Sequence, residues 1–318
     1  MSERMDPIQD RGRDAIWLHR FTLLTAVATF PLLFIGGLVT SKGAGLSVPD
    51  WPTTFGYNMF LYPWSKMIGD IFYEHSHRLV ASAVGLLTLT LAFWLWFFER
   101  RTWMRWLGAL ALALVIVQGV IGGLRVVLVE ETLAIVHGCL AQAFFALTVS
   151  LVFFTSREWA GEPQRIERLD ASQVQRLCVL TTAMIYLQGV FGAVLRYTGS
   201  GIGLHLFFAG LVALHVVLLA ARILKFQPGR AKLSRPVFLL SGLLFFQLAL
   251  GLGSYLGKFT PLGSSLSPLA IVVLTTTHVV TGAFMLVTSL ALTLTSYRLL
   301  APPKSLPGQG FLAEQLSV

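Results

Sequence analysis

Eight apolar stretches run through this sequence, and their length decides what the chain can fold into. A helix of about 20 apolar residues crosses the ~30 Å hydrocarbon core of a bilayer, and in lipid each backbone polar group needs a partner within the chain. The sequence therefore predicts an all-α polytopic membrane protein with eight transmembrane helices. We place these helices at about 18–40, 75–98, 104–125, 132–155, 174–197, 203–225, 236–257 and 268–297.

The composition supports this class, because 55% of the residues are hydrophobic, 12% are charged, and the mean hydropathy is +0.72. A pI of 9.9 needs no nucleic-acid partner here, since Lys and Arg beside membrane spans explain it. Cys139 and Cys178 both lie in apolar spans, so neither a metal site nor a disulfide framework is indicated.

The basic residues predict the orientation. Cytoplasmic loops carry an excess of Lys and Arg, and most of the 24 such residues fall on the side that holds both termini. The exceptions are Lys42, Lys66, Arg78, Arg125, Arg196 and Lys258. Asp6, Asp10 and Asp14 argue against a mitochondrial transit peptide. We expect a multi-pass protein of a bacterial plasma membrane, with both termini in the cytoplasm and the long loop 41–73 outside.

An internal repeat divides the chain near residue 165, where the charged linker "SREWAGEPQRIERLDASQVQR" lies. The third helix carries "QGVIGGLR", the fifth carries "QGVFGAVLR", and the seventh has a weaker version, "QLALGLGS". Four helices per repeat preserve orientation, which predicts a pseudo-twofold axis along the membrane normal. We therefore expect two related four-helix bundles, at 1–165 and 166–318.

A histidine lies at a similar outer depth on each even-numbered helix, and four residues later each is followed by a small residue. The four are His77, His137, His205 and His278, followed by Ala81, Ala141, Ala209 and Gly282. A single buried histidine most often bonds a neighbouring helix. Four at one depth favour two sites in which facing imidazoles bind one haem iron axially, with the small residues leaving room for the macrocycle.

The remaining polar residues in the spans are expected to be structural. His215 lies ten residues beyond His205 at another depth, although it competes with His205 as the sixth-helix ligand. His75 is expected to be interfacial. Gln118, Gln188 and Gln247 are expected to hydrogen-bond between helices.

One carboxylate distinguishes the two repeats. Glu74 lies three residues before His77, whereas Ile202 holds the matching position before His205. Glu74 either takes part in chemistry at the first site or pairs with Arg78. In the same way, Arg78 and Lys42 either contact haem propionates or extend to the lipid head groups.

Together these residues resemble the haem A synthase family, whose members oxidise a methyl group of haem O to the formyl group of haem A. The resemblance rests on "GAGLSVPDWP" after the first helix, on Glu-x-x-His-Arg at 74–78, and on the histidine of each even helix. It implies that His77 and His137 flank substrate haem O, that His205 and His278 ligate a haem B cofactor, and that Glu74 is catalytic. It also implies a haem O synthase and an electron donor as partners, and it allows a homo-oligomer.

The sequence departs from this family at two places. Many bacterial members carry two cysteines in the first outer loop, where Val48 and Thr54 stand here, so a loop disulfide is ruled out. An arginine often follows the sixth-helix histidine in the family, and here Leu206 does.

Two other function classes compete with the synthase. A dihaem electron-transfer or haem-handling protein would use the same four histidines but would not need Glu74 or the long loop. A transporter is suggested by the parallel repeat, but it is disfavoured because no pair of broken helices is evident apart from Pro31.

Overall fold

The computed structural model describes residues 7–226 and 231–303, and within them eight long helices account for most of the chain. We label them α1 (Pro7–Ser41), α2 (Asp70–Phe98), α3 (Thr102–Val127), α4 (Glu131–Thr155), α5 (Ala171–Thr198), α6 (Ile202–Phe226), α7 (Ala231–Phe259) and α8 (Pro268–Leu299). All eight are long and apolar enough to cross a membrane, which confirms the predicted class. Arg4, Arg230 and Lys304, which contribute to the predicted orientation, lie outside the described residues.

The helices extend beyond the apolar stretches that predicted them. α1 begins at Pro7 rather than near residue 18, and α2 begins at Asp70 rather than near residue 75. Hydropathy identifies the lipid-embedded length, whereas the backbone hydrogen bonds of a helix continue into its polar ends. The long loop is therefore 42–69, shorter than the predicted 41–73.

Local signals explain where several helices begin and end. The Ser267 side chain accepts a hydrogen bond from the backbone N–H of Ala270, and Pro268 occupies the first turn of α8. Gly199 ends α5 in the left-handed conformation, with φ of 66°. Pro31 lies inside α1, which continues through it.

α1 packs against α2 and α4, and α3 packs against the same two helices. Likewise, α5 packs against α6 and α8, and α7 packs against those two helices. The two groups meet where α1 and α4 face α5 and α8. Phe30 of α1 lies 5.0 Å from Phe284 of α8 between ring centres, and the Tyr186 hydroxyl of α5 donates to the Cys139 carbonyl of α4 at 3.3 Å. The division into two symmetry-related bundles stays a prediction.

A short strand pair joins the linker to the end of the last helix. β1 (Ile166–Glu167) pairs in parallel with β2 (Leu300–Ala301), and a single helical turn, Arg157–Ala160, precedes it. The sequence did not predict these elements. They fix the linker at the end of the bundle where the described chain begins and ends.

The opposite end, which we call the loop end, carries the 42–69 loop together with three shorter connections, 128–130, 199–201 and 260–267. Each even-numbered helix starts from this end, so its first turns lie closest to the loop. The four sequence-predicted histidines lie in those turns, and the loop end is therefore where a site is to be sought.

Candidate functional site

Each of the four histidines lies against a bare glycine backbone on the preceding helix. A Cβ built on the glycine would lie 2.9 to 3.1 Å from the Cε1 atom of the imidazole. The four pairs are Gly36 with His77, Gly122 with His137, Gly192 with His205 and Gly251 with His278. Any larger residue at these glycines would force the ring to move, so the glycines set the position of the imidazoles.

The histidines face each other in two pairs. The ring centres of His77 and His137, the first pair, lie 6.5 Å apart with an interplanar angle of 81°. Those of His205 and His278, the second pair, lie 6.4 Å apart at 72°. In both pairs the rings meet nearly edge to face across the space between two even-numbered helices.

One nitrogen of each imidazole is enclosed by the protein. All four Nδ1 atoms are buried and have no hydrogen-bond partner among the described residues. Each ring approaches a backbone carbonyl one turn before its glycine, although the geometry falls short of a hydrogen bond. These carbonyls belong to Leu32, Gln118, Gln188 and Gln247. The rings themselves are only partly buried.

Three glutamines connect the helices at the histidines, as the sequence predicts. The Nε2 groups of Gln118 and Gln188 donate to the backbone carbonyls of His137 and His205, both at 3.0 Å. Gln247 Nε2 lies 3.4 Å from His278 Nε2. On α1 the corresponding residue is Leu32, so His77 has no such contact from the helix behind it.

His215 does not join either pair. Its Nδ1 lies 2.9 Å from the Leu211 carbonyl of its own helix. His205, and not His215, therefore faces His278 in the structure.

Glu74 is fully engaged by the protein. Its side chain is 3% exposed, Oε1 accepts a hydrogen bond from Arg78 at 2.9 Å, and Oε2 accepts one from the backbone N–H of Val48 at 2.9 Å. Arg78 also donates to the carbonyls of Val48, Asp50 and Thr53. Of the two roles the sequence leaves open, the ion pair with Arg78 is formed, and it anchors the outer loop to α2.

His75 also holds the loop, contrary to the expected interfacial position. It is 1% exposed, its Nδ1 lies 3.2 Å from the Thr54 hydroxyl, and its ring centre lies 5.1 Å from that of Tyr62. The sequence could not show this because the loop residues that cover His75 are far from it along the chain.

The loop reaches over the first pair. The ring of Trp51 rests on the backbone of Gly123, where any Cβ would overlap it. Gly123 adjoins Gly122, the glycine that supports His137. Trp51 thus covers the loop end of the first pair, whereas the connections above the second pair are much shorter.

Asp50 shapes the tip of this loop outside the membrane spans. Burial alone would raise the pKa of Asp50, but hydrogen bonds from the Gly56 N–H, the Thr53 hydroxyl and the Phe55 N–H outweigh it and lower the pKa. The Thr53 hydroxyl donates at 2.5 Å, and the two backbone groups donate at 2.7 and 2.9 Å. The Asp50 carboxylate therefore closes the turn that follows Trp51.

Comparison with known proteins identifies the family. The sequence pattern of the COX15-CtaA family, described as cytochrome oxidase assembly protein, matches residues 19–207. The chain belongs to this family. The match contains His77, His137 and His205, and it stops before His278.

Named relatives of this family member are bacterial proteins called heme A synthase. The chain is 28% identical to the one from Shouchella clausii over 58% of its own length and 60% of the relative. It is 32% identical to the one from Alkalihalophilus pseudofirmus over 46% of its length and 50% of the relative. The chain thus spans about half to three-fifths of the length of these relatives.

The two sequence-predicted propionate contacts are occupied elsewhere in the structure. Lys42 is exposed, and its Nζ lies 4.7 Å above the ring centre of Tyr73, whereas Arg78 is bound to Glu74 and to the loop. For Arg125 and Arg196 the sequence indicated only an orientation in the membrane. Their place at the end of the repeated "QGVIGGLR" and "QGVFGAVLR" is the signal that could have placed one of them beside each histidine pair.

Proposed function

We propose that this family member is a haem A synthase that oxidises a methyl group of haem O to the formyl group of haem A for cytochrome c oxidase. The observation that carries the proposal is the pair of facing imidazoles, present twice, with ring centres 6.5 and 6.4 Å apart. The names of the relatives point to the same activity.

These separations suit a metal held between two imidazoles. A bond of about 2 Å from the metal to each nitrogen, together with the distance from that nitrogen to its ring centre, separates the ring centres by roughly 6 Å. The described residues contain no cluster of three or more His, Cys, Asp or Glu that could hold a bare ion. The residues therefore fit an iron whose other ligands belong to a macrocycle.

The enclosed Nδ1 atoms support the same reading. A histidine that binds a metal through one nitrogen usually donates its other N–H to a backbone carbonyl or carboxylate, which fixes the ring. Each of the four rings has such a carbonyl nearby and a buried Nδ1 without a partner among the described residues, so the carbonyl could accept the Nδ1 hydrogen bond when Nε2 binds a metal.

We assign His77 and His137 to substrate haem O, and His205 and His278 to a haem B cofactor, which would supply electrons when bound. The outer loop favours placing the substrate at the first pair, because the loop covers that pair and would keep water from a reacting methyl group. Glu74 is the proposed catalytic carboxylate. Its charge, held by Arg78 and Val48, would stabilise positive charge that develops at the oxidised carbon.

We further propose that the chain lies in a bacterial plasma membrane with both termini in the cytoplasm, since the loop end is poor in Lys and Arg. Haem O would then come from a haem O synthase, and a separate donor would supply the electrons. Lipid surrounds the eight spans.

The test is to express the chain with a haem O synthase in a host that lacks haem A and to analyse the extracted haems. The unaltered chain should produce haem A. Glu74→Ala should abolish haem A while bound haem B persists. A protein loaded with haem B that never produces haem A would contradict the proposal.

The main alternative, a dihaem electron-transfer protein, is favoured by one observation, namely that Glu74 already serves as a loop anchor. The comparison of Glu74→Gln with Arg78→Gln separates the two roles. Both variants break the ion pair and loosen the loop, but only Glu74→Gln removes the carboxylate. If the carboxylate takes part in the reaction, Glu74→Gln should lower the yield of haem A far more than Arg78→Gln.

A further inference from the structure

An arginine lies at the loop-end side of each histidine pair, about one helical turn beyond a glycine that supports a ring. Arg125 follows Gly122 by three residues on α3, and Arg196 follows Gly192 by four on α5. Residues three or four apart lie on the same face of a helix, so each arginine lies on the helix face that supports a ring. Each pair therefore has a cation on its loop-end side.

Neither arginine forms an ion pair with a carboxylate in the part of the chain that the structure describes. Arg125 donates to the Gly45 carbonyl at 2.9 Å, and Arg196 donates to the Gly37 carbonyl at 2.9 Å and to the Ser41 hydroxyl at 2.7 Å. A guanidinium has five N–H donors, and a charge within a membrane span is costly without a counter-ion. These neutral acceptors leave both the charge and several donors for a ligand.

The second pair has another cation and an unused hydroxyl nearby. Lys258 follows Gly251 by seven residues, which is about two turns on the same face of α7, and it lies at the same loop end as Arg196. Two cations on one side of a site repel each other unless an anion lies between them. Ser254, one turn beyond Gly251, has a buried Oγ without a partner among the described residues.

The first pair differs in its charges. Arg78 is neutralised by Glu74, and Lys42 is exposed above Tyr73. Among the described residues close to the first pair, this leaves Arg125 as the cation that remains for a ligand's anion. The second pair has two such cations.

We propose that Arg196 and Lys258 bind the two carboxylates of the macrocycle in the second site, and that Arg125 binds one carboxylate of the macrocycle in the first. This inference rests on the proposed function. It assigns the anchoring to residues other than Lys42 and Arg78. It also explains how one chain can retain a cofactor while releasing a chemically similar product, because the second site holds its ligand by one more charge-assisted contact.

The experiment compares haem B with its dimethyl ester, in which both carboxylates are masked. The full chain is purified without haem, the second site is isolated by His137→Ala, and each haem is titrated while the low-spin absorbance is followed. We expect the ester to bind at least about tenfold more weakly, since a hydrogen bond to a charged group is worth about 1.5–3 kcal/mol. Arg196→Gln combined with Lys258→Gln should weaken haem B by a similar factor and remove the preference over the ester.

Two matched variants separate charge from structure. Arg196→Lys keeps the charge and should keep most of the preference for haem B. Ser41→Ala removes a hydrogen-bond partner of Arg196 without changing any charge, and it should leave the preference intact. The first site, isolated by His278→Ala, should show a smaller preference that depends on Arg125.

Equal binding of haem B and its ester by the unaltered second site would contradict the proposed carboxylate contacts. A preference for haem B that persists in the double variant would also contradict them. A chain that shows the expected preference but never forms haem A would support the carboxylate contacts and contradict the synthase activity. A chain that binds no haem would contradict both proposals.

Discussion

At the scale of single residues, the four glycines define where the imidazoles lie. Each imidazole needs a neighbour without a side chain, because a Cβ would come within about 3 Å of its Cε1. Ligand geometry depends on small distances, so the absence of one methyl group at each glycine has a direct effect on metal binding. This requirement makes a simple prediction.

Gly122→Ala should displace His137 and reduce the six-coordinate low-spin absorbance of haem in the first site, because its Cβ would approach Cε1 to 2.9 Å. Overpacking of this kind costs about 1–3 kcal/mol. Gly119→Ala is the matched control on the same helix, since a Cβ there meets no atom within 4 Å. Similar absorbance in the two variants would contradict the role assigned to Gly122.

The sequence predicted the four histidines but not the glycines that support them. A histidine in an apolar span is conspicuous because of its polarity, whereas a glycine in a membrane helix is common and has many uses. Which glycine faces which ring depends on the relative rotation of two helices. For the same reason, the sequence identified Glu74 and Arg78 as candidates but did not show whether they pair with each other or face a ligand.

At the scale of elements, the outer loop is the feature that makes the two histidine pairs unequal. It is attached to α2 through Glu74, Arg78 and His75, and it rests on α3 through Trp51. These contacts make it a cover over the first pair. Two predictions concern this cover.

Trp51→Ala should speed the loss of haem from the first site by about tenfold, since Trp51 is 36% exposed and loses about 1.4 kcal/mol of packing, less than a fully buried side chain would. The measurement is the rate of haem transfer to apomyoglobin. Trp64→Ala provides a control in the same loop, because Trp64 is 77% exposed. An equal effect of the two substitutions would show that Trp51 does not act as a cover.

The loop should also loosen in acid through Asp50. Because its pKa in the folded loop lies below the ordinary value of 3.8, Asp50 stabilises the loop above that value, and the contribution is lost as the pH falls through the folded pKa. We expect the amides of Phe55 and Gly56 to lose protection from hydrogen exchange, corrected for intrinsic rates, under these conditions. In Asp50→Asn the protection should be weak already at pH 7 and should change little on acidification.

At the scale of the whole molecule, the eight spans were predictable because the length of an apolar stretch is a one-dimensional property. The packing of α1 and α4 against α5 and α8 was not, since it depends on which faces meet. The strand pair near Ile166 was also missed, because two residues carry too little pattern to be recognised.

The predicted orientation can be tested with single cysteines in a background of Cys139→Ser and Cys178→Ala. Ser264→Cys lies in the exposed connection between α7 and α8, and Glu162→Cys lies in the exposed linker. A membrane-impermeant maleimide should label Ser264→Cys in intact cells and Glu162→Cys only after permeabilisation, because basic residues favour the cytoplasmic side. The reverse pattern would contradict the orientation.

The contact between α1 and α8 also bears on the order in which the protein is completed during translation. Ser41 bonds to Thr275 and Thr276, and a Cβ on Gly37 would touch Thr276 at 3.4 Å. α1 leaves the ribosome first and α8 follows after all the other spans, since chains are synthesised from the N-terminus. The helix that supports His77 therefore stays without one of its neighbours until α8 has been made, so α1 reaches its final packing only late in biogenesis.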